Sequence, residues 1–321
     1  MKTNINTKSN PGPLSRALST LLLTAAMLWA MPGTARGGVI YETDDNVSGT
    51  IGKYTTAGAT VNAPLVSGLN SPIAVAVSGG NLYVANDGAG TIGEYDSVTG
   101  APVNASLITG LTNPEGIALF GTSLFVFSAP GGNGTIGIYN ATTGAPVNAL
   151  LISGLGPVPQ GVALSDDGAY LFVANYNNGT IAKYTASGVL VNASLVSGLG
   201  QNPLAIAVSG SDLFETNTNS GTIGEYDTNT GAPVNASLVS GLTHPKGIAV
   251  LEGDLFVANP DSGTIGEYDA TSGATVNASL VSGLNEPYGI TAVPEPSTWA
   301  WGLALIGAIA LLRLRRRAAK A

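Results

Sequence analysis

Residues 245–284 read PKGIAVLEGDLFVANPDSGTIGEYDATSGATVNASLVSGL, and this stretch decides the fold. It divides into four short runs, PKGIAV (245–250), DLFVANP (254–260), GTIGEYD (263–269) and TVNASLVSGL (275–284). Val, Ile, Leu, Phe and Tyr fill the runs, and Gly, Pro, Asn and Asp separate them, as strands and tight turns require. No long 3.6-residue apolar period of a helix runs through it. The string GTI recurs at Gly49, Gly90, Gly134, Gly179, Gly221 and Gly263. A period of a little over forty residues marks a propeller or a solenoid, and four strands per period mark a propeller blade.

The ends of the repeat region complete each other. The chain enters at Val39-Ile40-Tyr41, which matches the second strand of later copies (Leu82-Tyr83, Leu255-Phe256), and leaves through Pro287-Tyr288-Gly289-Ile290, which matches the first. A solenoid would show distinct capping repeats, and none is present. The expected fold is therefore all-β: a six-bladed propeller over residues 36–293, its last blade closed by the N- and C-terminal strands.

Composition narrows the chemistry. The chain has 321 residues, no Cys and one His, so Cys-based metal sites, disulfides and Cys nucleophiles are excluded, and a Ser-His-Asp triad has only His244 to draw on. With 44% apolar residues a packed core is available. Between residues 39 and 293 the basic residues are Lys53, Lys183 and Lys246, against all the acidic residues except Glu295. So acidic a surface repels phosphate backbones, and a nucleic-acid partner is not expected.

The remaining basic residues flank apolar segments at the two ends. Lys2, Lys8 and Arg16 precede the run from Ala17 to Met31, followed by Pro32-Gly33-Thr34-Ala35. This is the order of a secretory signal peptide, residues 1–35, with cleavage after Ala35 or alternatively Ala30, and it implies the Sec export machinery as a partner. At the other end Val293, Pro294, Glu295 and Pro296 are followed by a short apolar helix over 299–312 and by Arg313, Arg315, Arg316 and Arg317. The positive-inside bias places those arginines in the cytoplasm and residues 36–293 outside.

Two resemblances follow. Residues 294–321 closely resemble the PEP-CTERM sorting signal of Gram-negative bacteria, which implies recognition by an exosortase, membrane capture, processing near the motif and delivery to the cell surface or an exopolysaccharide matrix. The PxGIAV, LFVAN and GTIGEYD strings resemble NHL-type and YVTN-type repeats of bacterial propellers, over about 250 residues. That likeness implies the fold and says little of function.

Three groups of residues are candidates for chemistry. Asp44, Asn86, Asn175, Asn217 and Asn259 end the second strand in five blades, Ser128 takes that place in the third blade, and Glu42 and Glu215 stand two residues earlier in two blades. Oxygens at equivalent strand ends would ring one mouth of the channel, a setting that suits calcium, with Glu42, Asp44 and Glu215 as ligands. The ordinary alternative is that Asn and Asp end strands by satisfying turn backbone groups. The ring also resembles gluconolactonase-like propellers, which implies a metal in the channel that activates a lactone. Second, the position after the first-strand Pro holds Ile73, Glu115, Gln160, Leu204, Lys246 and Tyr288. A position so mixed is expected at an exposed recognition rim. Third, Asp96, Asn140, Asp227 and Asp269 open turns that lack the carboxylate spacing of an EF-hand and read as Asx-type hairpin turns.

The expected function is a non-catalytic binding or scaffolding module, exported and surface-sorted, for an extracellular polysaccharide or protein. A metal-dependent lactonase or lyase is the alternative. Ice or crystal-surface binding through Thr50, Thr91, Thr135, Thr180, Thr222 and Thr264 is more remote, because a propeller spreads those threonines radially.

Overall fold

The computed structural model describes residues 37–295 apart from 46–48, 131–133, 156–158 and 201. The expected signal peptide (1–35), Pro296, the helix over 299–312 and the basic tail lie outside the described residues. Among those described, no helix is long and apolar enough to cross a membrane.

The chain is a six-bladed β-propeller. Its innermost strands are β4 (Pro72–Ser78), β8 (Pro114–Phe120), β12 (Pro159–Leu164), β16 (Pro203–Ser209), β20 (Ile248–Leu251) and β24 (Pro287–Pro294). The second strands are β1 (Gly38–Asp44), β5 (Asn81–Asn86), β9 (Ser123–Ser128), β13 (Tyr170–Asn175), β17 (Asp212–Asn217) and β21 (Asp254–Asn259). The third are β2 (Gly49–Thr55), β6 (Thr91–Asp96), β10 (Thr135–Asn140), β14 (Thr180–Thr185), β18 (Thr222–Asp227) and β22 (Thr264–Asp269). The outer strands are β3 (Thr60–Leu69), β7 (Pro102–Ile108), β11 (Pro146–Ser153), β15 (Leu190–Val196), β19 (Pro233–Val239) and β23 (Thr275–Ser282). Each blade is an antiparallel four-stranded sheet, and the first blade has the order β24-β1-β2-β3.

The hydrophobic core is divided among the seams between blades. Leu82 and Val84 of β5 pack with Val39, Tyr41 and Ile51 of the first blade, whereas Tyr83 and Ala85 pack with Ile117, Leu124 and Val126 of the third. The two-residue alternation of a strand thus sends successive side chains to opposite neighbouring blades. Each fully buried Leu, Ile or Phe contributes about 1.5–3 kcal/mol of transfer free energy to its seam.

Glycine sets two close approaches. In the third strands the Tyr two residues after the Gly folds back over it: a Cβ on Gly224 would lie 2.6 Å from Cε2 of Tyr226. The fourth blade has Ala182 there, and its Tyr184 is correspondingly more exposed than Tyr226. In the first strands glycine lets adjacent blades touch backbone to backbone. The Gly247 amide donates to the Tyr288 carbonyl at 2.9 Å, and a Cβ on Gly289 would lie 2.5 Å from the Ile73 carbonyl oxygen.

Closure of the ring is a strand pairing. β1 and β24 run antiparallel from Gly38↔Pro294 to Asp44↔Pro287. The Gly289 amide donates to Thr43 Oγ1 at 2.8 Å, and the Asp45 amide donates to the Glu286 carbonyl at 3.2 Å. At the opposite end of the pair the Glu295 amide donates to the Gly37 carbonyl at 2.9 Å, so the two chain ends leave side by side.

The outer strands carry free edges, and bulges blunt them. In β19, Asn235 pairs with Glu225 while Val239 pairs with Ile223, and Asn235 Oδ1 accepts the Ser237 amide at 3.1 Å. A bulge and an entry Pro on an edge strand discourage sheet extension.

Gly289→Ala should cost about 2 kcal/mol or more, because its Cβ meets a backbone carbonyl that belongs to the next blade. Gly224→Ala should stay within about 1 kcal/mol of the parent, since the Tyr226 ring can move as the ring of Tyr184 has. Urea melts of the two variants check this, and equal costs would contradict the backbone-contact account.

Candidate functional site

Every first strand begins, and every second strand ends, on the same face of the ring, termed here the mouth face. The residue before the first-strand Pro has positive φ in five blades: Ser71 (46°), Asn113 (48°), Asn202 (83°), His244 (46°) and Glu286 (56°). Such a conformation is unfavourable for a side-chain-bearing residue and survives only where its surroundings impose it. Here it turns the carbonyl toward the residue that follows the second strand. The Asp87 amide donates to the Ser71 carbonyl at 2.9 Å, that of Ala129 to Asn113 at 3.1 Å, and that of Thr218 to Asn202 at 3.2 Å. In these blades, and in the first through the bond from Asp45 to Glu286, one residue after the Pro and one after the second strand are thereby held at the mouth.

Beneath the mouth lies a cavity of about 270 Å³ enclosed by the six inner strands, whose lining includes Ile73, Glu115, Ile117, Leu204, Ile206 and Tyr288. The expected rim residues are at this mouth, but not all are exposed. Ile73 and Leu204 are buried, because an apolar side chain at a funnel-shaped entrance turns inward. Glu115, Lys246 and Tyr288 are half-buried. Gln160 lies in β12, and its side chain is outside the described residues.

Lys246 and Tyr288 come from adjacent blades, and the ammonium nitrogen stands 3.9 Å from the centre of the ring. Burial lowers the Lys246 pKa, while Asp45, Glu286 and Asp261 pull it back up. Burial raises the Tyr288 pKa, and the charges of Glu115, Asp45 and Asp87 raise it further. The ring of Tyr288 is therefore in the field of carboxylates from three consecutive blades. Burial pushes the Glu115 carboxyl up to about 7, with the nearby Asp87 adding to the rise. Asp87 is raised by burial and then by Asp45, and Asp45 is raised by burial and Glu286 and lowered by Lys246 and a Ser71 hydrogen bond.

The strand-end oxygens are arranged otherwise than a shared calcium site requires. Glu42, two residues along β1 from Ile40 and on the same face, in the seam between the sixth and first blades, and Glu215, which raises the pKa of Tyr226 in the seam between the fourth and fifth, are each 1% exposed. A second strand has a neighbouring blade on both faces, so neither carboxylate reaches the channel, and the two are not brought together. Glu42 Oε1 and Glu215 Oε1 are buried without a hydrogen-bond partner. Asp44 accepts from the Thr50 hydroxyl at 3.3 Å and the Asn285 amide at 3.1 Å. Asn86 and Asn175 donate to Thr91 and Thr180 at 3.4 and 3.1 Å, Asn217 donates to the Leu199 carbonyl, and Asn259 donates to the Val257 carbonyl at 3.2 Å. Asn86, Asn175 and Asn259 serve their own blades, and Asn217 ties the fifth blade to the loop that follows the fourth. Among the described residues no three His, Asp or Glu side chains converge as a metal ion would need. Of the recurring threonines, Thr50, Thr91, Thr135 and Thr180 bond to the residue that ends the second strand, and Thr222 and Thr264 bond to Ser220 and Ser262.

His244 is exposed at the mouth face, its Nδ1 2.7 Å from Asp261 Oδ2. On the opposite face Asp96, Asn140, Asp227 and Asp269 form the expected Asx turns, as in the bonds from the Val98 and Thr99 amides to Asp96 Oδ1 at 3.0 and 2.7 Å. Reading by strands passed over Asp45 and Asp87, which sit just beyond the second-strand ends. The signal was there, since that column reads Asp45, Asp87, Ala129, Tyr176, Thr218 and Pro260 and is as mixed as the rim.

No protein-family model matches the chain, and no curated protein sequence matches it. Among solved structures it is similar to a chain of a nidogen/laminin complex, at 15% identity and a TM-score of 0.69, covering 80% of this chain and 98% of that one. It is also similar to TolB from Acinetobacter baumannii, at 15% identity and a TM-score of 0.62, covering 89% of this chain and 74% of that one. At these identities the likeness shows the fold alone, and a propeller fold is consistent with a binding or scaffolding module.

Burial holds the Glu215 carboxyl at about 8 against an ordinary value of 4.5. A carboxyl raised in the folded state contributes its stability below the unfolded pKa and loses it as pH rises through the folded one. The propeller should therefore weaken between about pH 5 and pH 8, with Glu215 supplying on the order of 4 kcal/mol of that fall and Glu42 acting in the same direction. Denaturation of Glu215→Gln across this range should give a flatter profile and a higher melting temperature at pH 9. An unchanged slope would contradict the buried, neutral state of Glu215.

Proposed function

We propose that this protein is exported, sorted to the cell surface or extracellular matrix, and works there as a non-catalytic binding or scaffolding module whose recognition surface is the mouth face. The observation that carries this reading is where the six copies differ. The outer strands repeat Val-Asn-Ala at Val61, Val103, Val147, Val191, Val234 and Val276. The two columns held at the mouth run instead through acidic, basic, aromatic and aliphatic residues. A repeat whose variation gathers at one end of a rigid channel has a scaffold everywhere else and a surface for recognition there.

The chain ends support the sorting part of the reading. Gly37 and Glu295 leave the ring together on the face opposite the mouth, which is where a leader and a sorting tail would be joined. The partners in this reading are the Sec machinery for residues 1–35, an exosortase for Pro294, Glu295 and Pro296, the membrane for 299–312, and an extracellular polysaccharide or protein at the mouth.

Replacing Pro294, Glu295 and Pro296 with alanine should leave export intact and block tail processing, so that the variant stays membrane-bound with Arg313 to Arg317 attached. Intact-mass measurement of the surface form checks this. A parent protein that keeps its whole tail at the surface would count against exosortase sorting.

A further inference from the structure

Asp45, Asp87 and Glu115 follow one another around the mouth on the first, second and third blades, and few basic side chains are available to meet them. Lys53 and Lys183 are committed on the opposite face, where each donates at 2.9 Å to a backbone carbonyl of the next blade, Ser97 and Thr228. His244 is paired with Asp261. Lys246 lies on Tyr288, in the field of Asp45, Glu286 and Asp261. Asp45 thus has a cation near it, and the chain between residues 39 and 293 contains no fifth basic residue to serve Asp87 and Glu115. Both keep a fully buried oxygen with no hydrogen-bond partner, Asp87 Oδ1 and Glu115 Oε2.

Unmatched buried acceptors are costly, and one of the two, Glu115, lines a cavity that is ready to hold a ligand body, with the charge of Asp87 close enough to act on it. Glu115 lines that cavity together with Ile73, Ile117, Leu204 and Ile206, and Tyr288 stands beside it. A partner that repairs the mouth must bring positive charge, N–H donors and a slender apolar part. Lys246 already occupies the ring of Tyr288, so the seat for a second cation is the pair of carboxylates on the second and third blades. A metal ion fits less well, because no three His, Asp or Glu side chains converge among the described residues and the walls below are aliphatic.

We infer that the channel mouth binds ligands carrying a primary ammonium group on a short apolar body, with the ammonium at Glu115 and Asp87 and the apolar part directed into the cavity. This deepens the binding-module reading and rests on it. Lys246, on the far side of the mouth from Glu115, balances Asp45 and keeps the excess negative charge on the second and third blades.

The test is calorimetric titration of the purified full chain at pH 8 with n-hexylamine, its neutral twin 1-hexanol, its anionic twin hexanoate, and calcium chloride. Hexylammonium should bind at one saturable site, at least tenfold more tightly than hexanol, and hexanoate should give no signal. Glu115→Gln and Asp87→Asn should each weaken hexylammonium about tenfold without lowering the melting temperature, two variants being used so that a folding defect in one does not decide the matter. Equal binding of hexylamine and hexanol, or binding unmoved by both variants, overturns the ammonium assignment while leaving the mouth as a binding surface. Binding of calcium alone overturns it in favour of a metal, and binding of none of the four overturns it outright. Tail processing, read by mass, is independent of all these outcomes.

Discussion

Adjacent inner strands approach to backbone contact around the channel, and the rest of the molecule depends on that constraint. It is why Gly161, Gly247 and Gly289 have no room for a Cβ: the space is taken by the carbonyl of Leu204, Tyr288 or Ile73 in the next blade. It holds the position after the first-strand Pro at the channel entrance, with a left-handed residue before the Pro in five blades. It also leaves no central core, so stability resides in six seams that each need both neighbours. A ring of this kind is stable only when it is closed, and here closure is the pairing of β24 with β1 inside the first blade.

The same geometry explains where charge is tolerated. A carboxylate two residues before the end of a second strand falls in a seam, where burial favours the neutral form of Glu42 and Glu215. A carboxylate just past the strand end falls at the mouth, where Asp45 and Asp87 keep partial access to water. Like charges also face each other in the ladders, since Asp212 pairs with Asp227 and Asp254 with Asp269. Direct cross-strand repulsion of this sort lowers stability and is relieved by salt. With so few lysines, the propeller has placed Lys53 and Lys183 as staples between blades and only Lys246 at the mouth.

Blade number, strand order, closure by the termini and the Asx turns at Asp96, Asn140, Asp227 and Asp269 were all legible in the sequence, because each is a local pattern repeated at a fixed interval. The placement of Glu42 and Glu215 was not. Alternation along a strand tells which residues share a face, but in a second strand both faces are covered, so the pattern of an inward carboxylate and of a buried one is the same. The mouth was legible in half. The column after the Pro stood out by its variation, whereas the equally mixed column containing Asp45 and Asp87 lies one residue past the strand ends, where a reading by strands stops. Ile73 and Leu204 show the remaining limit, since a mixed column does not reveal which of its members fold inward.

Native-state hydrogen exchange of the closing strands tests the central claim most directly. If the ring is stable only as a closed whole, amides of residues 39–43 and 290–293 should exchange through global unfolding, with the same protection and denaturant dependence as those of β13 on the far side of the ring. Exchange of the closing pair through a separate opening of lower free energy, with β13 still protected, would contradict it and make the first blade an add-on to a ring that holds without it.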